Sequence, residues 1–207
     1  MNAIDLRGKL IAFEGIDTSG KSTQARLLEK GLLALGHDVV STREPGGTRI
    51  GEAARSIVLS KPGEHKLLLP FSELLLFMVS RAQNTAEIIR PALDAGKTVI
   101  VARYRMSSLA YQGYGRGLDL KLIDDLNDAA THTLQPDITF LIDLPADVAL
   151  RRKKTEQDRI EIEALEFHRR VRAGYLEMSE SADNVIVING DREIRAIEAE
   201  IAGHLGL

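Results

Sequence analysis

The sequence contains no cysteine and no tryptophan. The lack of cysteine excludes disulfides, thiolate metal ligands and a cysteine nucleophile, and it is typical of a reducing compartment. Neither sign of charge dominates, because 27 lysines and arginines stand against 30 aspartates and glutamates. No run reaches the ~18 apolar residues of a membrane span, and residues 1–7 lack the apolar core of a signal peptide. These absences predict a cytoplasmic protein with no nucleic-acid partner and no membrane partner.

Short apolar runs and helical patterns alternate along all 207 residues. The apolar runs are continuous and β-branched, which is typical of strands buried on both faces of a parallel sheet. They lie at 10–13, 39–40, 98–102, 138–143 and 185–188. Helical patterns lie at 28–35, 71–95 with a break near Pro91, 118–130, 147–153, 160–179 and 192–205. The alternation predicts a single α/β domain over residues 1–207, with a doubly wound five-stranded parallel sheet.

Residues 15–22, GIDTSGKS, match the phosphate-binding pattern G-x-x-x-x-G-K-[ST] between a predicted strand and a predicted helix. Such a loop turns backbone N–H groups toward phosphate, and the helix N-terminus adds a positive dipole end. We expect Lys21 to reach the β- and γ-phosphates of ATP as a catalytic residue and Ser22 to bind Mg²⁺. The predicted nucleotide-binding residues are Gly15, Ile16, Asp17, Thr18, Ser19, Gly20, Lys21 and Ser22.

A phosphate-binding loop is shared by GTPases, ATPase motors and small-molecule kinases. The sequence has no N/T-K-x-D guanine motif, and the Asp143 end of the fourth strand fits a late strand better than a Walker B strand. A kinase needs a second anion site, and Arg43 and Arg103 follow the second and third predicted strands, at the edge where ligands bind. Phe77 and Arg81 are four residues apart and therefore share one helix face. This pair suits a flat base that stacks on the ring and accepts a hydrogen bond from the guanidinium at a carbonyl.

Taken together, these segments resemble the thymidylate kinase family. The matches follow the family's order along most of the chain, and TREPGGT distinguishes the family among kinases with this loop. They are FEGID at 13–17, KSTQ at 21–24, TREPGGT at 42–48, ELLLF at 73–77, RAQ at 81–83, RY at 103–104, AYQG at 110–113 and DR at 158–159. The resemblance implies the P-loop nucleoside monophosphate kinase fold, transfer of the ATP γ-phosphate to dTMP with Mg²⁺, and a homodimer.

The resemblance also implies roles for individual residues. Phe77 is expected to stack on thymine and Arg81 to contact its O4 atom. The further acceptor contacts it implies are Arg43, Arg55 and Arg103 at the phosphate, Asp17 at the 3′-hydroxyl, Tyr111 at the 2′ position and Gln112 at the base.

A basic run, Arg151 to Lys154 followed by Arg159, falls where the family carries a small lid, at about 151–159. Taken alone, such a run also suits a solvated helix end. Family members without an arginine in the phosphate loop carry arginines in the lid, and positions 18 and 19 here are Thr and Ser. We therefore expect Arg152 to stabilise the transferred phosphate and Arg151 to lie against adenine.

One position departs from the family's pattern. Ala102 stands where an aspartate usually precedes the arginine after the third strand. The sequence therefore predicts weakened Mg²⁺ binding, with Glu14 or Asp17 contributing through water, or with Ser22 and the phosphate oxygens alone. Two alternatives stay open: an impaired homologue that binds nucleotides without turnover, and a kinase for another pyrimidine monophosphate, since dUMP lacks only a methyl group.

Overall fold

The computed structural model describes residues 4–61, 64, 68–152 and 158–207. Five parallel strands form one sheet in the order β2-β3-β1-β4-β5. The strands are β1 (Leu10–Glu14), β2 (Val39–Arg43), β3 (Thr98–Ala102), β4 (Ile138–Asp143) and β5 (Val185–Asn189). All five predicted strands and the doubly wound parallel sheet are confirmed, since each apolar run forms a strand and each pairing is parallel.

Nine α-helices are found in the described parts of the chain. They are α1 (Lys21–Ala34), α2 (Arg49–Val58), α3 (Pro70–Asn84), α4 (Arg90–Asp94), α5 (Arg105–Ser108), α6 (Leu120–Thr131), α7 (Ala146–Arg151), α8 (Leu165–Glu180) and α9 (Ile194–Leu205). A π-helical turn at Thr85–Ile89 separates α3 from α4, so the long pattern at 71–95 is interrupted before Pro91. Proline cannot donate to the preceding helical turn, which explains the break. No described helix is long and apolar enough to cross a membrane.

Helices α2 and α5, and a π-helical segment at Leu109–Gly115, are absent from the sequence-based prediction. The Thr48 side chain accepts from the N–H of Gly51 and caps the start of α2. A threonine cap of this kind is a readable sequence signal for a helix start.

The central strands β1 and β3 are buried at every position. On one face, Phe13 and Phe140 pack with Leu32 of α1 and Ile201 of α9. On the other face, Leu10 and Val101 belong to a cluster that includes Ile89 and Tyr104. Because both faces are covered, the strands read as continuous apolar runs. The loops after β1, β2 and β3 lie side by side at the carboxyl edge of the sheet, where the sequence places its predicted site.

Candidate active site

A cleft of about 250 Å³ opens at the carboxyl edge of the sheet. It brings together ten residues that the sequence predicts for the site: Asp17, Thr18, Lys21, Ser22, Arg43, Arg55, Phe77, Arg103, Tyr111 and Gln112. It is also lined by residues that sequence reasoning missed as site residues, namely Glu44, Pro45, Leu59, Ser107, Ser108, Asp158, Ile160 and Glu161. Two anion-binding loops and an aromatic ring therefore share one cavity.

The phosphate-binding loop runs from β1 into α1. Gly15 has a φ of 137°, and a Cβ there would lie 2.5 Å from the carbonyl oxygen of Ile142, so only glycine fits. The Lys21 Nζ donates to the carbonyl of Ile16 at 2.9 Å. The Ser19 hydroxyl is buried and has no hydrogen-bond partner among the described residues, and such a hydroxyl in a phosphate-binding loop suits a ligand oxygen. Burial, together with the nearby Arg103 cation, lowers the pKa of Lys21 to about 7.

Arg103 follows β3 and is the centre of a polar cluster on the cleft wall. Its backbone is in the left-handed region, with a φ of 69°, which is unusual outside glycine. Nη1 donates to the Gly15 carbonyl at 3.0 Å, and Nη2 donates to a carboxylate oxygen of Asp17. The Tyr111 hydroxyl donates to the other Asp17 oxygen at 2.8 Å. Several partners thus fix a strained backbone, a pattern found at functional sites.

Charges in this cluster determine the state of Asp17. Burial alone would raise the pKa of the carboxyl, but the Arg103 and Lys21 cations and the Tyr111 hydroxyl hold it far below its usual range. Burial raises the pKa of Tyr111 well above its ordinary value. Asp17 is therefore an ionised acceptor at neutral pH rather than a general base.

The loop after β2 is folded by its glycines. Gly47 has a φ of 81°, and a Cβ there would lie 2.4 Å from the Thr42 hydroxyl. Its N–H donates to Glu52 at 3.0 Å, while the N–H of Gly46 donates to Ser80. The glycine N–H groups are thus used inside the protein, so the side chains of this loop and of α2 carry the positive charge of the acceptor wall.

The two arginines of that wall have one protein partner each among the hydrogen bonds of the described residues. Arg43 pairs with Glu52 at 2.8 Å, with more than half of the arginine side chain exposed. Arg55 donates to the carbonyl of Pro45 at 2.9 Å. Both guanidinium groups keep N–H donors that can turn toward an anion in the cleft.

Phe77 and Arg81 lie four residues apart on α3 but differ in exposure, and the base contacts expected for them stay predictions. Phe77 lines the cleft, whereas Arg81 is 1% exposed and does not line it. Its Nε donates to Glu44 at 2.7 Å, and its two other nitrogens donate to the Ser108 hydroxyl and the Tyr104 carbonyl, both at 2.8 Å. A buried carboxylate attracts the guanidinium inward, and Ser108 and Glu44, which Arg81 holds, line the cleft instead.

The structure shows what surrounds Ala102. The neighbouring carboxylate of Glu14 is buried and accepts from the N–H of Tyr104, from Ser107 and from the Tyr175 hydroxyl. Asp17 is bound to Arg103. No group of three or more metal-ligating side chains occurs among the described residues. The alternatives of Glu14 or Asp17 through water, and of Ser22 with phosphate oxygens alone, stay predictions.

The predicted lid is described in part. Lys153 and Lys154 lie outside the described residues. Arg159 is half-buried and pairs with Glu73. This part of the basic run therefore anchors the chain on α3.

The roles expected for Arg151 and Arg152 stay predictions, and the structure gives the positions of both side chains. Arg151 pairs with Asp147 on the surface, with 68% of its side chain exposed. Arg152 donates to the carbonyl of Gly190 at 3.2 Å and to Asp191 at 2.8 Å. Gly190 lies against the phosphate-binding loop, since a Cβ there would come 3.2 Å from the Ser19 carbonyl oxygen. Arg152 is thus the arginine beside the nucleotide loop, and neither arginine lines the cleft in this structure.

Comparisons with known proteins agree with this geometry. The family model described as thymidylate kinase matches residues 13–201. A thymidylate kinase of Caldanaerobacter subterraneus subsp. tengcongensis is 46% identical over 194 residues, covering 93% of this chain and 92% of that protein. One of Sulfurihydrogenibium is 44% identical over 200 residues, covering 96% and 97%. The crystal structure of thymidylate kinase from Ehrlichia chaffeensis superposes with a TM-score of 0.78 at 37% identity, covering 96% of this chain and 98% of that one.

Proposed function

The chain belongs to the thymidylate kinase family, and from this premise we propose that its cleft phosphorylates dTMP to dTDP with ATP as donor and Mg²⁺ as metal. One observation carries the proposal. The cleft is lined by Lys21 and Ser22 of the phosphate-binding loop together with Arg43, Arg55, Arg103 and Phe77. Such a cavity suits a ligand pair with two phosphate groups and a flat base.

Phosphoryl transfer requires the two phosphates to be placed in line and the developing charge to be neutralised. The attacking group is the acceptor phosphate, so no strong base is needed. Lys21 and the loop N–H groups are assigned to the ATP phosphates, and Arg103 to the dTMP phosphate, with Arg43 and Arg55 beside it. The positive charge of these groups favours the transition state because it neutralises the charge that develops on the transferred phosphate.

The base and sugar contacts follow from the cleft wall. Phe77 is assigned to stack on thymine, and Gln112 borders the base from the π-helical segment at Leu109–Gly115. Asp17 is assigned to the 3′-hydroxyl, because an ionised carboxylate accepts a hydrogen bond. Tyr111 is held by Asp17 and Arg103, so its ring is a fixed obstacle at the 2′ position.

Mg²⁺ fits as an ion that arrives with ATP. Ser22 lines the cleft and offers one protein oxygen. Magnesium keeps several waters and is often held by one or two protein groups plus substrate phosphates, so a sparse protein shell suffices. When bound, Mg²⁺ neutralises charge on the phosphate oxygens.

The proposal includes a homodimer. Phe71, Leu75 and Val79 recur four residues apart on α3, and each side chain is more than 40% exposed. This stripe borders α2, where Ile50 and Ile57 are also exposed. A second copy of this chain is the partner we assign to this surface. Leu75→Glu is expected to convert the dimer to a monomer in analytical ultracentrifugation, while Leu35→Glu, at the residue that follows α1, leaves the dimer unchanged.

The test of the activity is ADP formation from ATP and Mg²⁺ with each candidate acceptor. The proposal predicts the highest kcat/KM for dTMP, with dUMP ~10–100-fold lower because a methyl group contributes about 1–3 kcal/mol in a pocket. Preference for a different monophosphate would replace the substrate assignment. Nucleotide binding in calorimetry without ADP formation would identify an impaired homologue.

A further inference from the structure

Gln112 belongs to the cleft wall, but its side-chain amide is also bound from behind. Its Nε2 donates to Oε1 of Glu73 at 2.7 Å, across 39 residues of sequence. The Gln112 side-chain oxygen accepts no hydrogen bond among the described residues. It is also not one of the fully buried polar atoms that have no partner. The amide therefore has its donor end toward α3 and its acceptor end available to the cleft.

Glu73 sets this direction. The carboxylate is 1% exposed, and it also accepts from Arg116 at 3.3 Å and from Arg159. A carboxylate between two guanidinium groups accepts hydrogen bonds and has none to give. If the Gln112 amide were rotated by half a turn, its oxygen would face a buried carboxylate oxygen, which is unfavourable in a low dielectric.

We propose that Glu73 is a specificity-determining positioning residue, which fixes the Gln112 amide so that its oxygen, and not its N–H₂ group, is presented to the base. The inference rests on the proposed function. A fixed acceptor at the edge of a stacked pyrimidine selects a base that carries a hydrogen on N3. Thymine and uracil carry that hydrogen, whereas cytosine presents a lone pair at N3.

The location of Glu73 supports the assignment. Glu73 and Phe77 are four residues apart on α3 and therefore lie on the same side of the helix. The residue that stacks on the base and the residue that directs the amide are thus held by one helical turn. A site built to hydrogen-bond a substrate group rejects an analogue lacking it far more strongly than a pocket rejects a missing methyl. The cleft is accordingly expected to separate dTMP from dCMP strongly and dTMP from dUMP weakly.

Glu73→Gln tests the proposal. The amide oxygen of the substituted residue is needed by Arg116 and Arg159, so its N–H₂ group faces Gln112 and forces that amide to rotate. We expect kcat/KM for dTMP and dUMP to fall by the same factor, about 10–100-fold. The ratio of kcat/KM for dTMP to that for dCMP should fall at least about tenfold, a difference near 1.4 kcal/mol.

Arg116→Gln is the matched control. It removes one partner of Glu73 without changing the group that faces Gln112, so the dTMP to dCMP ratio should stay within about threefold of wild type. In a Gln112→Met background, Glu73→Gln should no longer change the ratio, because the amide it directs is gone. Equal losses for all three acceptors in Glu73→Gln would show a purely structural role and overturn the proposal.

A measurement on the unmodified chain covers the case in which Glu73→Gln does not fold. The side-chain amide hydrogens of Gln112, followed by ¹⁵N NMR, should exchange slowly with water in the free enzyme and remain slow when dTMP binds, because the Glu73 carboxylate holds them. Fast exchange in the free enzyme would contradict the assigned orientation. An enzyme that shows no turnover of dTMP at all would refute the proposed function instead, and the exchange measurement separates the two failures.

Discussion

The two sides of the cleft are built differently. On the acceptor side, Arg103, Asp17 and Tyr111 are bonded to one another, and Gln112 is bonded to Glu73 behind it. The two arginines proposed for the ATP side lie outside the cleft lining: Arg151 has 68% of its side chain exposed and Arg152 has 38%, and each is paired with one surface carboxylate. The acceptor wall is thus formed by mutually fixed groups, whereas the described donor arginines are held weakly.

This difference indicates which binding groups are already in position in the free protein and which must move when a nucleotide binds. Fixed dipoles and charges act without reorganisation when the acceptor arrives. Exposed arginines must leave Asp147 and Asp191 to reach a nucleotide, and the cost of breaking a surface pair is small. Under the proposed function, we expect the acceptor side to be positioned in advance and the arginines of the ATP side to be ordered when ATP binds.

The largest effect is expected at the centre of the acceptor wall. Arg103→Met removes the cation that contacts Asp17, Tyr111 and Gly15, so kcat/KM for dTMP should fall about 10³-fold. Binding of an ATP analogue, measured by calorimetry, should change less than about threefold. A similar loss in both measurements would show that the two sides are not separately built.

Lys21→Met is expected to reduce kcat about 10²-fold or more and to stabilise the free protein by about 1–3 kcal/mol. The pKa of the buried lysine is lowered to about 7, so between pH 7 and its unfolded value the unfolded chain binds more protons than the folded chain. Wild-type stability therefore rises with pH across that window, and the advantage of the variant should shrink toward pH 10. Urea unfolding at pH 6.5, 8 and 9.5 measures the difference in free energy of unfolding between the variant and wild type, with Lys30→Met as a surface control. A difference that grows with pH would contradict the assigned burial of Lys21.

The donor arginines should give a smaller effect. Arg152→Ala is expected to raise the KM for ATP about tenfold with little change in the KM for dTMP, because Arg152 lies beside Gly190 and the phosphate-binding loop. Arg151→Ala serves as the control and should change either constant less than about twofold. A larger loss for Arg151 than for Arg152 would contradict the assignment of Arg152 beside the phosphate-binding loop.

The smallest effect is expected at Ala102. Ala102→Asp supplies the carboxylate that the family usually has, and it should lower the Mg²⁺ concentration needed for half-maximal rate by about threefold to tenfold. Ala102→Asn is the uncharged control. An unchanged metal dependence in steady-state assays would show that Ser22 and phosphate oxygens already hold the ion fully.

The sequence alone predicts the sheet and most of the cleft, because strands buried on both faces and the phosphate-binding loop are local signals. It does not predict the position of Arg81, since the carboxylate that draws it inward is Glu44, 37 residues away. The contact between Glu73 and Gln112 is likewise not predicted, because the two residues are 39 positions apart in the sequence. Arg151 and Arg152 are adjacent in the chain, and only the packing of Gly190 distinguishes them.

The most direct test of the difference between the two sides is hydrogen exchange of the free enzyme and of its two binary complexes. Peptides covering 103–115 and 146–152 report on the acceptor wall and on the donor arginines. We predict that the 103–115 peptide is already protected from exchange in the free enzyme and that dTMP changes its exchange rate less than about twofold. An ATP analogue should slow exchange in the 146–152 peptide at least about tenfold. A large gain of protection in 103–115 with dTMP, and none in 146–152 with the ATP analogue, would contradict it.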